Sequence, residues 1–430
     1  MSPEFIRFLR AECLEELPFI VDDFLGIKAS GGGRFSGVHY GRDAYISIIT
    51  ALSEPQNGEL PILLECAKTS QRLAIAYQGK KCNPFTEEDK GKIAHEIHTG
   101  DSPQQRLAEM IEIGWPGYRL ENGRLGMVYY GAGDATPLFN ISVAVVHRAL
   151  ASRDQLAAQI YLEEMWPHVK AAFHHDTKIA DLDNDGLIES DPQNKNALLN
   201  HTWKDSNDAY RDEKGRIPKP PYKYLTNNSY YLWALREGVE LAKEMGETAF
   251  AAELNGSYAR GKKEFHNRFF APDLGTYAPM IDGKGNRVEF IADDPVIALW
   301  AKVIDPEYAK LVIDRLKQPD MNTERGLRTR SSLSSQFRVN GARAYHNGTV
   351  WLHQTLIAAK AVENYGDIEF AESLDNKAFA LERRLKRKEL VAVERERGHL
   401  LQYREKGVPV ACSPQAWAVF ATLGRTAKAA

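Results

Sequence analysis

This 430-residue chain has few cysteines, no long apolar runs and no large excess of either charge. Four cysteines are too few for a disulfide framework at this length. No segment approaches the about 18 uninterrupted apolar residues of a membrane-spanning helix, and the N-terminal region is acidic, unlike a signal peptide. A formal net charge of −3 provides no general attraction for nucleic acid or anionic lipid. We therefore expect a globular cytoplasmic protein with neither a nucleic-acid nor a membrane partner; its oligomeric state is open.

The chain shows helical periodicity along its whole length. Apolar residues recur at spacings of three and four, which is typical of amphipathic helices. Strand signals are weaker, with the best over 123–130 and a short hairpin over 276–290. The clearest helical segments are 141–151, 155–174, 230–244, 247–268 and 350–365.

No Gly/Ser linker divides the chain, so residues 1–430 are predicted to form a single all-α domain. About ten to twelve helices in successive hairpins would suit a closed toroid of paired helices. An irregular all-α globule and a helical-repeat scaffold are the alternatives, although no fixed repeat period is visible. Long connections separate the helices, and loops of that length are usually functional.

Two of these loops combine Gly with carboxylates just before a helix. Arg42 and Asp43 stand before the apolar segment from Ala44, where Asp43 could cap the helix or, with Arg42, bind sugar hydroxyls. Tyr130 and Asp134 belong to a Gly-rich segment over 129–139. That segment lacks the βαβ context and spacing of a dinucleotide site.

A third loop places Asp205 and Asp208 beside Trp203 and Lys204. If the loop formed a helical turn, the two carboxylates would share a face. An aromatic neighbour raises the pKa of a carboxylic acid, as a general acid working near neutral pH requires. A pair of helix-capping residues is the alternative interpretation.

Further polar loops occur near the C-terminal end of the chain. His346 and Asn347 precede the apolar segment from Val350, and Glu389 precedes another apolar stretch, whereas Glu394 and Glu396 fall in an alternating charge run that indicates solvated surface.

The segment from Asp181 to Glu189 begins like a calcium-binding loop. Asp181, Asp183 and Asp185 occupy positions 1, 3 and 5, but position 12 is Pro192, so only Glu189 could replace the missing bidentate ligand. A structural calcium ion and a simple Asx-rich turn are both compatible with this pattern.

Taken in order, these motifs resemble those of the amylo-α-1,6-glucosidase, glycogen-debranching-type glycoside hydrolases, which are relatives of glucoamylase-like enzymes. The resemblance covers about residues 30–422, and it rests on seven motifs in the same order. These are Gly-Arg-Asp-Ala from 41, Tyr-Gly-Ala-Gly-Asp-Ala-Thr-Pro-Leu-Phe from 130, Asp-Asn-Asp-Gly-Leu-Ile-Glu from 183, Thr-Trp-Lys-Asp-Ser-Asn-Asp from 202, Gly-Leu-Arg-Thr from 326, Tyr-His-Asn-Gly-Thr-Val-Trp from 345 and Pro-Val-Ala-Cys-Ser-Pro-Gln-Ala-Trp-Ala from 409.

The resemblance implies an (α/α)6 toroid that hydrolyses a terminal α-glucosidic linkage with inversion and needs no cofactor. It assigns the general acid to Asp205, with Asp208 as second choice, and the base to Glu389, where Lys388 replaces the family's usual Pro. The substrate would be an oligosaccharide or glucoside. The implied sugar-binding residues are Arg42, Asp43, Tyr130, Asp134, Trp203, Lys204, His346, Asn347, Trp351, Gln415 and Trp417.

Two departures from that family affect the expected substrate. The chain begins almost directly with the predicted toroid, without the N-terminal β-rich domain of many relatives, so glycogen is a doubtful substrate. Residues 322–344 and 383–388 are basic, and cations pointing inward would favour an acidic glycoside. A polysaccharide lyase, a phosphorylase and a non-catalytic carbohydrate-binding protein are the competing functions.

Overall fold

The computed structural model describes residues 2–32, 35–54, 57, 61–100, 102–385, 390–394, 400–402, 404–405, 408–409 and 411–427. Thirteen α-helices occur in this part of the chain. They are α1 (Pro3–Ile20), α2 (Gly41–Leu52), α3 (Pro61–Ala76), α4 (Gln104–Glu112), α5 (Ala135–Ala151), α6 (Gln155–Lys178), α7 (Leu225–Glu244), α8 (Thr248–Phe269), α9 (Pro295–Trp300), α10 (Pro306–Leu316), α11 (Leu352–Glu363), α12 (Ile368–Leu385) and α13 (Ala416–Thr426).

Six of these helices form a closed inner ring. Each packs against the next in the order α2, α5, α7, α9, α11, α13, and α13 returns to α2. Outer helices α3, α6, α8, α12 and α1 pack against α2, α5, α7, α11 and α13 respectively. This arrangement is the (α/α)6 toroid, as predicted, and the irregular globule and the solenoid are excluded.

Hydrophobic patterning explains which helices form the inner ring. In α9 every residue is buried, and α2 and α5 are buried along almost their whole length. Outer helix α10 buries only its apolar stripe, Ala309, Val312, Ile313 and Leu316, at spacings of three and four. A helix that is apolar on all sides must be surrounded by other helices, whereas an amphipathic helix packs on one face only.

Short strands occupy the connections between the helices. A four-stranded antiparallel sheet has the order β3-β4-β6-β5, and the predicted strand over 123–130 is β6 within it. The predicted hairpin is β10 paired with β11. The strands are β1 (Val21–Asp22), β2 (Gly26–Ile27), β3 (His39–Tyr40), β4 (Glu96–His98), β5 (Gly117–Arg119), β6 (Leu125–Tyr129), β7 (Lys223–Tyr224), β8 (Phe270–Ala271), β9 (Thr276–Tyr277), β10 (Met280–Ile281), β11 (Arg287–Val288), β12 (Asn322–Thr323), β13 (Gly326–Leu327), β14 (Val350–Trp351), β15 (Leu390–Val393), β16 (Leu400–Leu401), β17 (Arg404–Glu405) and β18 (Val408–Pro409).

Side-chain contacts show that N-terminal ends of the inner helices meet at one end of the toroid. Arg42 in the first turn of α2 contacts Asp134, the residue before α5. Gln415, the residue before α13, donates a hydrogen bond to Asp43 of α2. The loops of this end therefore surround a common space.

Within the described residues, no helix has the length and apolar character needed to cross a membrane.

Candidate active site

One pocket lies at this end of the toroid, where the first turns of inner helices meet the loop from His201 to Asp208. We call it the aromatic pocket, because most of its wall is ring surface. Its described lining residues are Phe35, Tyr40, Arg42, Asp43, His95, Trp203, Asp205, Tyr345, His346, Trp351 and Trp417.

Arg42 holds two carboxylates at the base of this pocket. Its Nε donates to Asp134 Oδ2 at 2.7 Å, and its Nη1 donates to Asp205 Oδ2 at 3.1 Å. Arg42 is 2% exposed and Asp134 is fully buried. Although burial opposes its charge, the carboxylates of Asp134 and Asp205 raise the pKa of Arg42. The guanidinium is therefore permanently charged, and it fixes the position of Asp205.

Asp205 has the electrostatic environment of a general acid. Burial raises the pKa of Asp205 to about 6, Arg42 opposes that rise, and the nearby carboxylate of Glu96 adds to it. The side chain is 29% exposed, and that surface faces the aromatic pocket. Carboxylic acids that donate a proton near neutral pH need a raised pKa of this kind.

Indole and imidazole rings form the upper wall of the pocket. His346 stacks on Trp351 with 5.2 Å between ring centroids, and Trp203 meets both rings edge-on. His353 supports Trp417 from behind at 4.2 Å. Burial lowers the pKa of His346 well below its ordinary value. Flat aromatic surfaces of this kind suit the apolar faces of a sugar ring.

Several residues that line this pocket carry a buried polar atom without a protein partner. Arg42 Nη2, His95 Nδ1, Trp203 Nε1, His346 Nε2 and Trp417 Nε1 are buried, and none has a hydrogen-bond partner among the described residues. Buried polar groups in folded proteins are nearly always hydrogen-bonded. A ligand with many hydroxyl groups would satisfy these atoms while it packs against the rings.

Lys204 supports the loop from His201 to Asp208, which we call the acid loop after the predicted acid, Asp205. Its Nζ contacts Asp293 and Asp294 at 2.5 Å each and donates to the carbonyl oxygen of Thr329 at 2.9 Å. Both carboxylates are fully buried at the start of α9. This cluster anchors the loop that carries Asp205 to the inner ring.

A family model for the mannosylglycerate hydrolase MGH1-like glycoside hydrolase domain matches residues 135–392. The chain belongs to this family. It is therefore a glycoside hydrolase, and glycogen debranching in particular receives no support. The aromatic pocket, with Asp205 in its wall, is the candidate active site of this MGH1-like hydrolase.

Solved structures show the same fold over almost the whole chain. A GH63 mannosylglycerate hydrolase from Thermus thermophilus in complex with glucose is 15% identical, with a TM-score of 0.71 over 97% of this chain and 99% of that one. The same enzyme with Tris and D-glycerate, and an uncharacterized conserved protein from Thermus thermophilus, each give 15% identity and a TM-score of 0.71 over 97% of this chain and all of theirs. Comparison with curated protein sequences found no match.

The predicted sugar-binding residues divide into those that reach the pocket and those that lie behind it. Trp203, His346, Trp351, Trp417, Arg42 and Asp43 line the pocket. Behind it, Asp134 holds Arg42 and Gln415 holds Asp43. Asp43 lies inside the first turn of α2, whose N-cap is Tyr40, so the helix-cap interpretation of Asp43 is wrong.

Three predicted residues make contacts inside the MGH1-like fold rather than in the pocket. Lys204 is paired with Asp293 and Asp294, as described above. Tyr130 donates its hydroxyl hydrogen to the carbonyl oxygen of Tyr77. Asn347 Nδ2 donates to the carbonyl oxygens of Asp208 and Arg343. Residue type and motif position gave no indication of this inward orientation.

The second-choice acid, Asp208, does not lie with Asp205 on a helical turn. The loop from His201 to Asp208 forms bends and turns, and Asp208 Oδ2 accepts a hydrogen bond from Arg343 Nε at 3.1 Å. Asp208 is not among the described lining residues of the aromatic pocket. The expectation that the two carboxylates share a helical face is wrong. The proposed base, Glu389, lies outside the described residues.

Four lining residues were not predicted as site residues. Tyr345 is the first residue of the motif from 345, whereas Phe35, Tyr40 and His95 lie in loops or short strands outside the seven motifs. His95 immediately precedes β4, where Glu96 accepts a hydrogen bond from His98 at 3.1 Å. The cluster of two histidines and a glutamate at 95–98 is the sequence signal that could have identified this segment.

The predicted calcium loop already contains a cation from the protein. Ligand atoms of Asp181, Asp183 and Glu189 lie within 4.8 Å of one another. Lys223 Nζ, however, contacts Asp183 at 3.0 Å, Asp185 at 3.1 Å and Glu189 as well. A calcium ion bound among these carboxylates would have to displace the ammonium group. Lys223 therefore occupies the space that a calcium ion would need, and its charge offsets part of the negative charge of the loop.

Proposed function

We propose that the protein hydrolyses a small α-glycoside by a single displacement with inversion, using Asp205 as general acid and Glu389 as general base. The observation that carries the proposal is the raised pKa of Asp205, about 6, in the wall of a pocket lined with rings and unpartnered donors. Asp205 would protonate the glycosidic oxygen while the base removes a proton from water on the opposite face of the sugar.

The position of Leu390 supports Glu389 as the base. Leu390 is the first residue of β15 and pairs with Trp351, which lines the aromatic pocket. An inverting enzyme requires its two carboxyl groups about 6.5–9.5 Å apart, which leaves room for the attacking water. Asp205 and Glu389 are about 180 residues apart in the sequence and so belong to separate segments, which is compatible with such a gap.

An acidic aglycone is the substrate feature that the comparisons and the basic loops favour together. The similar Thermus enzyme is named a mannosylglycerate hydrolase, and one of its structures contains D-glycerate. In this chain, Arg343 lies two residues before Tyr345 of the pocket, and its side chain is 52% exposed. We propose a mannosyl or glucosyl glycerate-like substrate whose carboxylate is bound by Arg343.

A substrate panel followed by NMR tests the proposed reaction. Mannosylglycerate, glucosylglycerate and α-linked glucose disaccharides are each incubated with the enzyme, and the anomer released first is recorded. Inversion predicts β-sugar before mutarotation mixes the anomers. Initial α-sugar would show retention and contradict the roles of Asp205 and Glu389. An unsaturated product would indicate a lyase, and no turnover of any substrate would indicate a binding protein.

Glycosyl fluorides separate the acid from the base. Fluoride leaves without protonation, so Asp205→Asn should lose hydrolysis of glycosides but retain hydrolysis of the matching α-glycosyl fluoride. Glu389→Gln should lose both activities, because water still needs a base. Equal loss of both activities in Asp205→Asn would show that Asp205 is not the acid.

The role of Arg343 is tested by comparing aglycones. Arg343→Gln should raise KM for the glycerate-bearing glycoside and leave KM for the methyl glycoside unchanged. Arg338→Gln is the matched control, because Arg338 lies in the same segment and donates to the carbonyl oxygens of Ser335 and Phe337. The same KM change for both aglycones would mean that Arg343 supports the loop through Asp208 instead.

A further inference from the structure

A second cavity lies on the other side of the acid loop. We call it the Lys92 cavity; it has a volume of about 240 Å³, and its described lining residues include none of those that line the aromatic pocket. Buried Lys92, Asp176 and His201 form its inner part, and the exposed side chains of Cys82 and Asp191 lie at its rim. The volume is slightly below the usual 300–1,000 Å³ of ligand pockets, so it suits a small molecule.

Two side chains that line this cavity each carry a buried polar atom without a partner among the described residues. They are Asp176 Oδ2 and His201 Nε2, on side chains that are 1% and 2% exposed. Asp176 uses its other oxygen to accept a hydrogen bond from His175 Nδ1 at 2.9 Å. Unpaired polar atoms at such depth are rare in proteins, because a buried polar group left without a hydrogen bond destabilises the fold.

The three inner groups together offer one donor and two acceptors. The imidazole of His201 is hydrogen-bonded to the backbone of Leu198, and burial lowers its pKa well below the ordinary value. Because His201 is neutral and its other nitrogen holds that bond, Nε2 is an acceptor. Lys92 Nζ donates to the carbonyl oxygen of Glu87 at 3.0 Å and has two further hydrogens to donate.

Charge in the cavity excludes most other ligand classes. Six carboxylates line it against the single ammonium of Lys92, which disfavours an anion. That ammonium in the inner part disfavours a bare cation. Among the described residues, only Asp181, Asp183 and Glu189 meet the spacing of a metal site, and Lys223 already contacts two of them. Hydroxyl groups, which both donate and accept, match the inner groups.

We propose that the Lys92 cavity is a second binding site for a small neutral polyol or monosaccharide, separate from the active site. The site also contacts the acid loop. Gly133 lines the cavity, and its N–H donates to the carbonyl oxygen of His201 at 2.8 Å. The next residue, Asp134, holds Arg42 and through it Asp205. A ligand in this cavity would therefore lie beside Gly133 and Asp134, the segment that positions Asp205.

Cys82 provides a local measurement of occupancy. It is exposed at the rim, whereas Cys13, Cys66 and Cys412 are buried. A hydrogen bond to Asp89 raises the pKa of Cys82, so its alkylation by iodoacetamide is followed at alkaline pH. Glucose and glycerol are the probes, and glycerate is the anionic control. A sugar concentration of about three times Kd should slow alkylation about fourfold by mass action.

Variants in each of the two pockets attribute the protection to one site or the other. Ala180→Phe fills the cavity from its wall and should abolish protection, and Lys92→Met, which removes the donor, serves if Ala180→Phe does not fold. Trp417→Ala, in the aromatic pocket, should keep the protection. The proposal is overturned if neither glucose nor glycerol protects Cys82, if glycerate protects equally, or if protection is lost only in Trp417→Ala.

Discussion

Replacing Asp205 by Asn should make the enzyme inactive on glycosides and more stable at neutral pH. Burial raises the pKa of Asp205 from 3.8 to about 6, which means that the folded protein disfavours the charged carboxylate. Asn has nearly the same shape, stays neutral and can still accept a hydrogen bond from Arg42. The active-site acid would thus be a position where function is retained at the expense of stability.

The size and sign of this effect follow from proton linkage. Between pH about 4 and 6 the folded state keeps the proton on Asp205 while the unfolded chain has lost it, so stability falls as pH rises. A rise in pKa from 3.8 to about 6 corresponds to up to about 3 kcal/mol above pH 6. For a chain of 430 residues this is about 3 °C in Tm.

Thermal unfolding of both proteins across pH measures the difference. The Tm advantage of Asp205→Asn should be absent near pH 4, grow up to pH 6 and then stay constant. Asp208→Asn is the matched control, because the same chemical change three residues away breaks the ion pair with Arg343 and should bring no gain. A Tm difference that does not vary with pH, or a less stable Asp205→Asn protein at pH 7, would refute the raised pKa.

Further predictions concern the titration of Asp205 and the buried residues Lys204 and Lys223. For a glycoside with a poor leaving group, kcat/KM should fall tenfold per pH unit above about pH 6, because Asp205 must be protonated. The glycosyl fluoride needs no protonation, so its kcat/KM should not show this fall above pH 6. Lys204→Met should cost about 3–5 kcal/mol in urea unfolding, because two buried carboxylates lose their cation, whereas exposed Lys90→Met should cost little. Lys223→Met should make Tm rise with added calcium, while the Tm of the unmodified protein should not respond to calcium or EDTA; a calcium response in the unmodified protein would contradict the lysine assignment.

Local patterns in the sequence determined the helical architecture. Apolar spacing is a property of neighbouring residues, so the segments 155–174 and 247–268 predicted α6 and α8 nearly to their ends. The strand over 123–130 and the hairpin over 276–290 were also visible, because turn residues and alternation are local. The number and order of these elements suited a closed toroid but also allowed an irregular globule, and the family resemblance implied the (α/α)6 arrangement that the helix contacts confirm.

Orientation of single polar side chains was decided only by the tertiary structure. Trp203, Lys204 and Asp205 are consecutive, yet Trp203 and Asp205 line the pocket while Lys204 reaches Asp293 and Asp294 about 90 residues away in the chain. A motif names the residues of a loop but not the carboxylates that helix packing brings beside each of them. Coulomb energy and burial depend on those distant partners, so the acid's pKa and the cation at Asp183 are set by packing.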